Sequence, residues 1–518
     1  MPTLNWIGKE KVINHHLDVP YRVLEHKYSY DENGQHDVDN EGENKIIRGD
    51  NLEALKALLP QYEGKIKCIY IDPPYNTGNE KWVYNDNVND PKMKKWLGEV
   101  VGKEGEDLSR HDKWLCMMYP RLKLLQRLLA DDGAIFISID DNEQALLKLA
   151  CDEIFGVDNY ITSFIWQKKS GGGNDSKYVA VEHEYVVTYA KRKEALPNWF
   201  LPYDKEYLKR YSEKDNDGIY YWDTFMRASG KQYYPITCPD GSVLEYAKNG
   251  NPLSWLRSEN RFLNDLKENK VRIIKVNNEW TVHFKQYASD GKKPRSILQK
   301  IANNSDAKKS IFEIFNKQKV FEYPKPYQLI EHLLNIVTDK NSIVLDSFAG
   351  SGTTAHAVLN MNKEDGGNRK FILVEMEDYA ESITAERVKR AINGYGDVDG
   401  TGGSFSFYDL GEPLLLENQY LNENISAQKI REYVYFMETK NVLPENKGSY
   451  YLDTHNSTAY YFYYEKESIT TLNYSFLKTM KEPAENYVIY ADNCTLSEEE
   501  LLKYHITFKK IPRDIARL

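Results

Sequence analysis

A strand that runs into a glycine-rich turn and then into a helix restricts the possible folds of this chain more than any other stretch. Residues 342–355 read Ser-Ile-Val-Leu-Asp-Ser-Phe-Ala-Gly-Ser-Gly-Thr-Thr-Ala, and the pattern predicts a helix over residues 356–361. Glycines at such a turn let backbone N–H groups approach a ligand closely, with the helix N-terminus beneath it. The turn lacks the lysine of a phosphate-binding loop, which disfavours hydrolysis of a nucleoside triphosphate.

A carboxylate follows this turn at a distance that suits a nucleoside. The predicted strand over residues 371–374 ends on Glu375, which lies 23 residues after Gly352. A carboxylate in that place can hold the two hydroxyls of a ribose. The combination predicts a site for an adenosine-containing cofactor. A dinucleotide fingerprint is the competing interpretation, although its Gly-x-Gly-x-x-Gly pattern is only partly met.

Residues 69–76 carry a second feature that indicates chemistry. They read Ile-Tyr-Ile-Asp72-Pro73-Pro74-Tyr75-Asn, a short strand followed by a carboxylate, two prolines and a ring. Prolines have no N–H, so the carbonyls around them are free to accept hydrogen bonds from a ligand. An amino group held between Asp72 and the Pro73 carbonyl can turn its lone pair toward an electrophile, and an extruded base can stack on Tyr75. A proline-rich turn without chemistry is the alternative.

Strands and helices alternate around both features, which predicts an α/β protein with a doubly wound, mostly parallel sheet. Residues 45–50 predict a short strand that ends in Gly-Asp, residues 52–59 and 113–129 predict amphipathic helices, and residues 134–139 predict a buried strand. Asp50 or Asn51 is placed to cap the first helix. Asp50 either caps alone or also faces a ligand at the carboxyl end of its strand.

Composition excludes several classes of protein. Hydrophobic residues make up 41% of the chain and charged residues 28%, with no apolar run long enough to cross a bilayer. The first residues lack the pattern of a secretion signal, so we expect a cytoplasmic protein. The five cysteines form no Cys-x-x-Cys pair, and we predict that they are buried free thiols. His15 and His16 have no third ligand at useful spacing, and we predict no metal site.

The charge is distributed unevenly along the chain. The net charge is −10, yet residues 161–320 carry 28 Lys and Arg against 19 Asp and Glu, a local +9, which leaves −19 elsewhere. Aromatic residues interleave with basic ones from about residue 191 to residue 319. One positive segment on an acidic protein is expected where a polyanion binds. A solvated basic face, with Tyr and Trp as the core of a small domain, is the alternative.

The sequence predicts five regions. We expect an N-terminal extension at 1–44, a catalytic part at 45–190, an inserted domain at 191–319, a cofactor-binding part at 320–410 and a C-terminal interaction domain at 411–518.

Together, these pieces resemble an amino-group DNA methyltransferase that uses S-adenosylmethionine. Residues 72–75 resemble the catalytic motif of N6-adenine enzymes, and residues 346–354 resemble the cofactor motif, with a serine at position 347 where many relatives have proline. The catalytic motif precedes the cofactor motif, which is the permuted order of the beta class. Within that class, Gly49-Asp50-Asn51, residues 71–79 and His183-Glu-Tyr185 are most similar to the modification subunits of type III restriction systems.

The resemblance implies a role for each matching residue. Catalysis would fall to Asp72, Pro73, Pro74 and Tyr75. The residues implied for the cofactor are Asp50, Asn51, Lys325, Pro326, Asp346, Phe348, Gly350, Gly352, Thr353, Thr354 and Glu375. Basic and aromatic residues that we predict to contact DNA are Trp82, Tyr84, Lys168, Lys169, Lys209, Arg210, Arg227, Arg257, Lys292 and Lys293.

The implied function is methyl transfer from S-adenosylmethionine to N6 of a flipped adenine in double-stranded DNA. The fold would be a Rossmann-like methyltransferase sheet in permuted order, with residues 191–319 as an inserted target-recognition domain. The expected partners are DNA, a second copy of the chain and a restriction subunit, with no membrane. Three alternatives stay open: N4-cytosine methylation, methylation of a protein glutamine, and a DNA-binding specificity subunit without turnover.

Overall fold

The computed structural model describes residues 3–39, 44–77, 95, 98, 110–171, 176–203, 205–228, 230–416, 418, 420–444, 450–512 and 514–515. The chain divides into two compact units. The first unit combines Met1–Asn198 with Arg295–Leu518, and the second is Trp199–Pro294.

The strands fall in three stretches of the chain. The strands before the second unit are β1 (Arg22–Asp31), β2 (Gly34–His36), β3 (Asn44–Arg48), β4 (Ile66–Ile71), β5 (Leu129–Ile139), β6 (Tyr160–Gln167) and β7 (His183–Ala190). Those of the second unit are β8 (Glu213–Asp215), β9 (Gly218–Thr224), β10 (Ile236–Thr237), β11 (Val243–Leu244), β12 (Val271–Val276) and β13 (Glu279–Tyr287). The later strands are β14 (Ile297–Leu298), β15 (Ile343–Asp346), β16 (Lys370–Glu375), β17 (Gly394–Tyr395), β18 (Val398–Asp399), β19 (Phe405–Pro413), β20 (Tyr451–His455), β21 (Thr458–Phe462), β22 (Thr471–Leu472), β23 (Asn486–Ala491), β24 (Asn493–Cys494) and β25 (Ile506–Lys510).

The α-helices of the described residues are α1 (Lys9–Val12), α2 (His15–Asp18), α3 (Asn51–Tyr62), α4 (Arg110–Leu128), α5 (Gln144–Phe155), α6 (Lys205–Leu208), α7 (Glu259–Lys267), α8 (Asn304–Ile314), α9 (Tyr327–Val337), α10 (Thr353–Asp365), α11 (Glu386–Asn393), α12 (Ala427–Thr439), α13 (Tyr474–Leu477) and α14 (Glu498–Lys503). A π-helical turn, Ala380–Ala385, precedes α11.

Among the described residues, eleven strands of the first unit form one sheet in the order β14-β6-β7-β5-β4-β15-β16-β3-β19-β1-β2. The six central strands, from β5 to β19, run parallel to one another. Antiparallel pairs extend the sheet through β7 on one side and β1 on the other. The predicted α/β sheet is confirmed, and so is its permuted order, because β4 lies beside β15 although about 270 residues separate them.

The central strands are apolar because both faces of the sheet are covered. Alternate residues of a strand point to opposite faces. Ile69 and Ile71 of β4 are fully buried in the core that includes residues of α3 and α4. Tyr70 points to the other face, where its hydroxyl hydrogen-bonds the Ser138 hydroxyl at 2.9 Å. Strand β5 begins at Leu129 rather than at the predicted residue 134, because Leu129 already pairs with Ile66.

The two ends of the chain also join this unit. Residues 1–44, expected to be an extension, supply β1, which pairs along β19, and β2, which pairs with β1. Toward the C-terminus, β20, β21, β23 and β25 form a separate four-stranded sheet. Tyr433 and Phe436 of α12 lie in the same apolar core as Leu55 of α3. The described C-terminal residues are folded, as expected, and belong to the first unit, whose core they share.

The second unit has its own core. Strands β12, β13, β9 and β8 form an antiparallel sheet in that order. Phe225, Trp255, Phe262 and Phe284 are among the residues buried in its core. Part of the aromatic content of residues 191–319 therefore serves packing.

Candidate active site

The ends of two adjacent parallel strands lie at one cavity of the first unit. Strand β4 pairs with β15, with Cys68 opposite Val344 and Ile69 opposite Leu345. Asp72 follows β4, and the glycine turn follows β15. Both line a cavity of about 270 Å³. The predicted site residues on its wall are Asp72, Pro73, Tyr75, Lys168, Lys325, Asp346, Phe348, Gly350 and Thr353.

The Asp72 carboxylate is held by a lysine and a tyrosine. The Lys325 ammonium lies 2.9 Å from each oxygen of Asp72 and 4.8 Å from the centre of the Tyr75 ring. The Tyr75 hydroxyl donates a hydrogen bond to Asp72 Oδ1 at 2.9 Å. Burial raises the pKa of Asp72 above its ordinary value, although the ammonium of Lys325 opposes the shift. The same carboxylate raises the pKa of Lys325 against the effect of burial.

Glu184 is a second carboxylate of this cluster. Its Oε2 lies 3.2 Å from the Tyr75 hydroxyl and 3.4 Å from Lys325 Nζ, and its Oε1 accepts a hydrogen bond from Lys168 at 3.1 Å. Burial favours a higher pKa for Glu184, but the two ammonium groups outweigh it and lower the pKa. Glu184 was not predicted as a site residue. A signal was present, since a carboxylate occupies a buried position of the apolar strand β7.

The loop of residues 72–76, which follows β4, is held by contacts with helix α4 and with Glu143. The Trp114 indole N–H donates to the Pro74 carbonyl at 2.7 Å. Asn76 has a left-handed backbone, with φ of 57°, and its amide donates to the Glu143 carboxylate and, at 3.1 Å, to the Arg110 carbonyl. Among the described residues, none donates a hydrogen bond to the Pro73 carbonyl. That carbonyl is therefore available to a ligand.

The glycine turn is shaped by hydrogen bonds from two directions. The Gly350 N–H donates to Glu375 Oε2 at 2.7 Å, and the Thr384 hydroxyl donates to the Gly350 carbonyl at 2.6 Å. Gly352 has φ of 78°, and a Cβ there would lie 3.0 Å from the Thr384 carbonyl oxygen. Both conditions favour glycine at position 352. The Thr354 hydroxyl donates to Asp346 at 2.5 Å.

Two carboxyl groups lie buried at this turn. Burial raises the pKa of Asp346 to about 7 and that of Glu375 to about 8, against backbone hydrogen bonds that favour the charged forms. A carboxyl group with such a pKa gains or loses its proton near neutral pH, and so changes between a hydrogen-bond donor and an acceptor.

Arg387 lies beneath the same turn and was not predicted. Its guanidinium donates to the hydroxyls of Ser351 at 2.8 Å and Thr353 at 2.7 Å. Burial lowers the pKa of Arg387 to about 10. A buried guanidinium that contacts two hydroxyls on the cavity side orders the start of α10.

Asp50 and Asn51 support the turn through a different contact. The Asp50 carboxylate caps α3 by accepting from the N–H of Leu52 at 2.8 Å, and it pairs with Arg121 at 3.2 Å. The Asn51 amide donates to the Ser347 carbonyl at 3.1 Å. In the described part of the chain, the cavity wall does not include these predicted cofactor residues: Asp50, Asn51, Pro326, Gly352, Thr354 and Glu375.

The predicted DNA contacts are distributed over both units. Lys168 lies on the cavity wall and Lys169 is exposed beside it in sequence. Arg257 is paired with Asp265 inside the second unit. Arg227, paired with Asp223 at 3.2 Å, also belongs to that unit. The other predicted contacts in the second unit are Lys209, Arg210, Lys292 and Lys293. Trp82 and Tyr84 lie outside the described residues.

The described residues contain neither a metal cluster nor a membrane-spanning helix. No cluster of three or more His, Cys, Asp or Glu suited to a metal occurs among them. None of their helices combines the length and apolar character needed to cross a bilayer. The five cysteines are free thiols, and Cys494 is the one that is not fully buried.

Comparison with known proteins identifies the family. Residues 66–386 match the DNA methylase family N6_N4_Mtase, and the chain belongs to it. The chain is 37% identical to the type III restriction-modification enzyme StyLTI Mod subunit of Salmonella typhimurium, over 69% of this chain and 55% of that protein. It is 32% identical to the EcoP15I Mod subunit of Escherichia coli, over 73% and 64%. It is 33% identical to the type II methyltransferase M.KpnI of Klebsiella pneumoniae, over 64% and 80%. The chain thus spans little more than half the length of the first of these relatives.

Proposed function

We propose that this protein transfers a methyl group from S-adenosylmethionine to N6 of an adenine flipped out of double-stranded DNA. One observation carries the proposal: Asp72 and Pro73 share a cavity with Gly350 of the glycine turn. A hydrogen-bond acceptor pair for an amine therefore faces the loop that suits an adenosine-containing cofactor. The match to a DNA methylase family and the similarity to Mod subunits of restriction-modification enzymes support DNA as the substrate. The resemblance of residues 72–75 to the catalytic motif of N6-adenine enzymes favours adenine as the base.

The residues around the turn fit S-adenosylmethionine. The Glu375 carboxyl lies off the cavity wall and accepts a hydrogen bond from the N–H of Gly350, which lies on it, and a ribose that reaches this carboxyl offers it two hydroxyl donors. Ser351 and Thr353 line the cavity, and their hydroxyls accept hydrogen bonds from Arg387, which is a suitable polar environment for the amino-acid part of the cofactor. When bound, the cofactor supplies a methyl group on a positively charged sulfur, which is a strong electrophile.

The chain's own groups then orient the target amine. Asp72 and the Pro73 carbonyl each accept one hydrogen of the N6 amine, so that its lone pair turns toward the methyl donor. The ring of Tyr75 stacks on the extruded base. Because the electrophile is already activated, positioning by these groups accounts for most of the rate. The surplus proton of the amine leaves to Asp72 or to water.

The same proposal assigns the partners and the two units. The protein is a modification subunit of a type III restriction-modification system and acts in the cytoplasm with a restriction subunit, as a homodimer. Residues 191–319, which include the compact unit Trp199–Pro294, form the target-recognition domain. The C-terminal residues 411–518 form an interaction domain.

The decisive experiment incubates the protein with duplex DNA and S-adenosylmethionine labelled in the methyl group, followed by mass spectrometry of the nucleosides. We expect label in N6-methyladenine at one sequence context. Asp72→Ala should abolish transfer while cofactor binding persists, whereas Asp132→Ala, an exposed carboxylate near the opposite end of the adjacent strand, should not. Label in N4-methylcytosine or in protein, or DNA binding without transfer, would each contradict the proposal.

A further inference from the structure

We infer that Glu184 is a positioning residue that takes over Lys325 and Tyr75 when the target amine docks on Asp72. The inference rests on the proposed function, because it concerns how Asp72 becomes available to a DNA base. In the state without DNA, Lys325 and Tyr75 contact Asp72. In the state with the target amine bound, they contact Glu184 instead.

Asp72 is not free to receive a base in the present arrangement. The Lys325 nitrogen lies 2.9 Å from both carboxylate oxygens and 4.8 Å from the centre of the Tyr75 ring. An amine nitrogen held by Asp72 and stacked above Tyr75 would need the same space. The lysine therefore occupies the position of the target amine and must move for the base to enter.

Glu184 lies within reach of both groups that contact Asp72. The single hydroxyl proton of Tyr75 has Asp72 Oδ1 at 2.9 Å and Glu184 Oε2 at 3.2 Å as acceptors. Lys325 Nζ lies 3.4 Å from the same Glu184 oxygen. Lys325 Nζ is therefore within ion-pair distance of both carboxylates, and the Tyr75 hydroxyl is within hydrogen-bond distance of both, so Glu184 can keep its contacts with the two groups when they leave Asp72.

Charge explains why a second carboxylate is needed at this place. The side chain of Lys325 is 11% exposed and that of Glu184 is 8% exposed. A buried ammonium that lost Asp72 without gaining another anion would be strongly unfavourable. The other Glu184 oxygen already accepts from Lys168, which holds the carboxylate in place and charged. Glu184 thus reduces the cost of freeing Asp72.

Two roles for Lys325 are compatible with its position, and they predict different effects of its loss. If its main function is to contact the cofactor, its loss should weaken cofactor binding. If it mainly occupies Asp72 until the base arrives, its loss should chiefly affect the step in which DNA enters the site. Measuring both cofactor affinity and the methylation rate distinguishes the two roles.

The test compares Glu184→Gln, Lys325→Met and the double variant in the full-length protein. Each is assayed for cofactor dissociation constant by calorimetry and for single-turnover methylation of duplex DNA. Glu184→Gln should lower the methylation rate at least about tenfold while the cofactor dissociation constant changes less than about twofold. The double variant should recover most of the lost rate, because no lysine remains to block Asp72. Glu182→Gln, which changes a carboxylate two residues earlier that contacts Gly171 and Gln167, is the matched control.

Three results would overturn the inference. Losses that multiply in the double variant would mean that the two residues act independently. A cofactor dissociation constant that rises as much as the rate falls would assign Glu184 to cofactor binding. If Glu184→Gln does not fold, Glu184→Asp replaces it, and a loss that Lys325→Met fails to relieve also counts against the inference. Absence of methyl transfer by the unmodified protein would overturn the proposed function as well, whereas an active protein with multiplying losses overturns only the role of Glu184.

Discussion

The indole N–H of Trp114 donates a hydrogen bond to the carbonyl of Pro74 at 2.7 Å, inside a core where Trp114 is completely buried. The bond joins helix α4 to the double proline that carries the proposed amine acceptors. Neither proline can donate a hydrogen bond of its own. The loop therefore depends on donors from neighbouring elements, and among the residues that the structure describes Trp114 donates to Pro74.

Trp114→Phe should loosen the catalytic loop without altering the cofactor side of the cavity. The half-buried Pro74 carbonyl would lose this donor, at a cost of about 1 kcal/mol in the free energy of unfolding. We expect kcat to fall about tenfold because the acceptors for the amine are less well placed. Chemical denaturation and steady-state kinetics measure the two effects.

Trp6→Phe is the control for this change. Trp6 is also buried in the first unit, but its N–H contacts the weak acceptor Cys116 Sγ at 3.4 Å, far from the loop in sequence. The control should lose stability with little change in kcat. Equal losses of kcat in both variants would mean that the effect of Trp114 is general destabilisation.

Tyr75→Phe and Tyr75→Ala should differ strongly in activity. Stacking requires the ring, and it is worth about 1–3 kcal/mol per base, which Tyr75→Ala forfeits. The hydroxyl contacts Asp72 and Glu184 at the site rather than the face on which a base stacks. Single-turnover methylation should therefore be largely retained in Tyr75→Phe. A similar loss in the two variants would show that the hydroxyl, not the ring, is required.

The principal relationship of the site could be predicted because parallel strands place their carboxyl ends at one edge of a sheet. Asp72 and the Gly350 turn each follow a recognisable buried strand, so their proximity follows from the sheet order. The residues that support the turn could not be predicted from the sequence in the same way. Arg387 comes from a helix behind the turn, and its function depends on the hydroxyls of Ser351 and Thr353, which no local pattern connects to it.

The N-terminal strand shows a different limit of sequence reasoning. Strand β1 contains five charged residues or histidines among its ten, and it reads as solvent-exposed chain. It forms because β19 offers a partner along its length, with Leu24 opposite Leu410 and Tyr30 opposite Phe405. Such a strand is fixed by a neighbour that is distant in sequence, and propensity alone does not detect it.

The stability of the ligand-free protein should fall as pH rises through neutrality because of Glu375. Burial raises its pKa from 4.5 to about 8, so the folded state favours the protonated form. The resulting stabilisation is complete below the ordinary pKa and is lost as pH rises toward the folded value. Its size is of the order of 5 kcal/mol. Thermal unfolding between pH 5 and 9 should show a decline that Glu375→Gln reduces, with Asp346 accounting for the remainder, while Asp378→Asn, an exposed carboxyl nearby, keeps the full decline.

Cofactor affinity should change with pH in the opposite direction. A ribose donates two hydroxyl hydrogens, and the ionised Glu375 accepts them better than the protonated form. The dissociation constant of S-adenosylmethionine should therefore decrease as pH rises toward about 8. Glu375→Gln should bind more weakly and without this dependence. A pH-independent dissociation constant in the unmodified protein would argue against the ribose contact.

DNA affinity should decrease steeply as salt concentration rises. Each phosphate contact made by Lys or Arg adds about 0.9 to the slope of the logarithm of affinity against the logarithm of salt concentration. The second unit has 16 Lys and Arg against 13 Asp and Glu, so its net charge is modest and individual contacts must account for the slope. Replacing both Lys292 and Lys293 by alanine should reduce the slope by about 1–2.

Lys248→Ala is the control. It removes a lysine already paired with Glu279 and should leave the slope nearly unchanged. A flat salt profile in the unmodified protein, or an equal effect of all three lysines, would exclude these residues from phosphate binding.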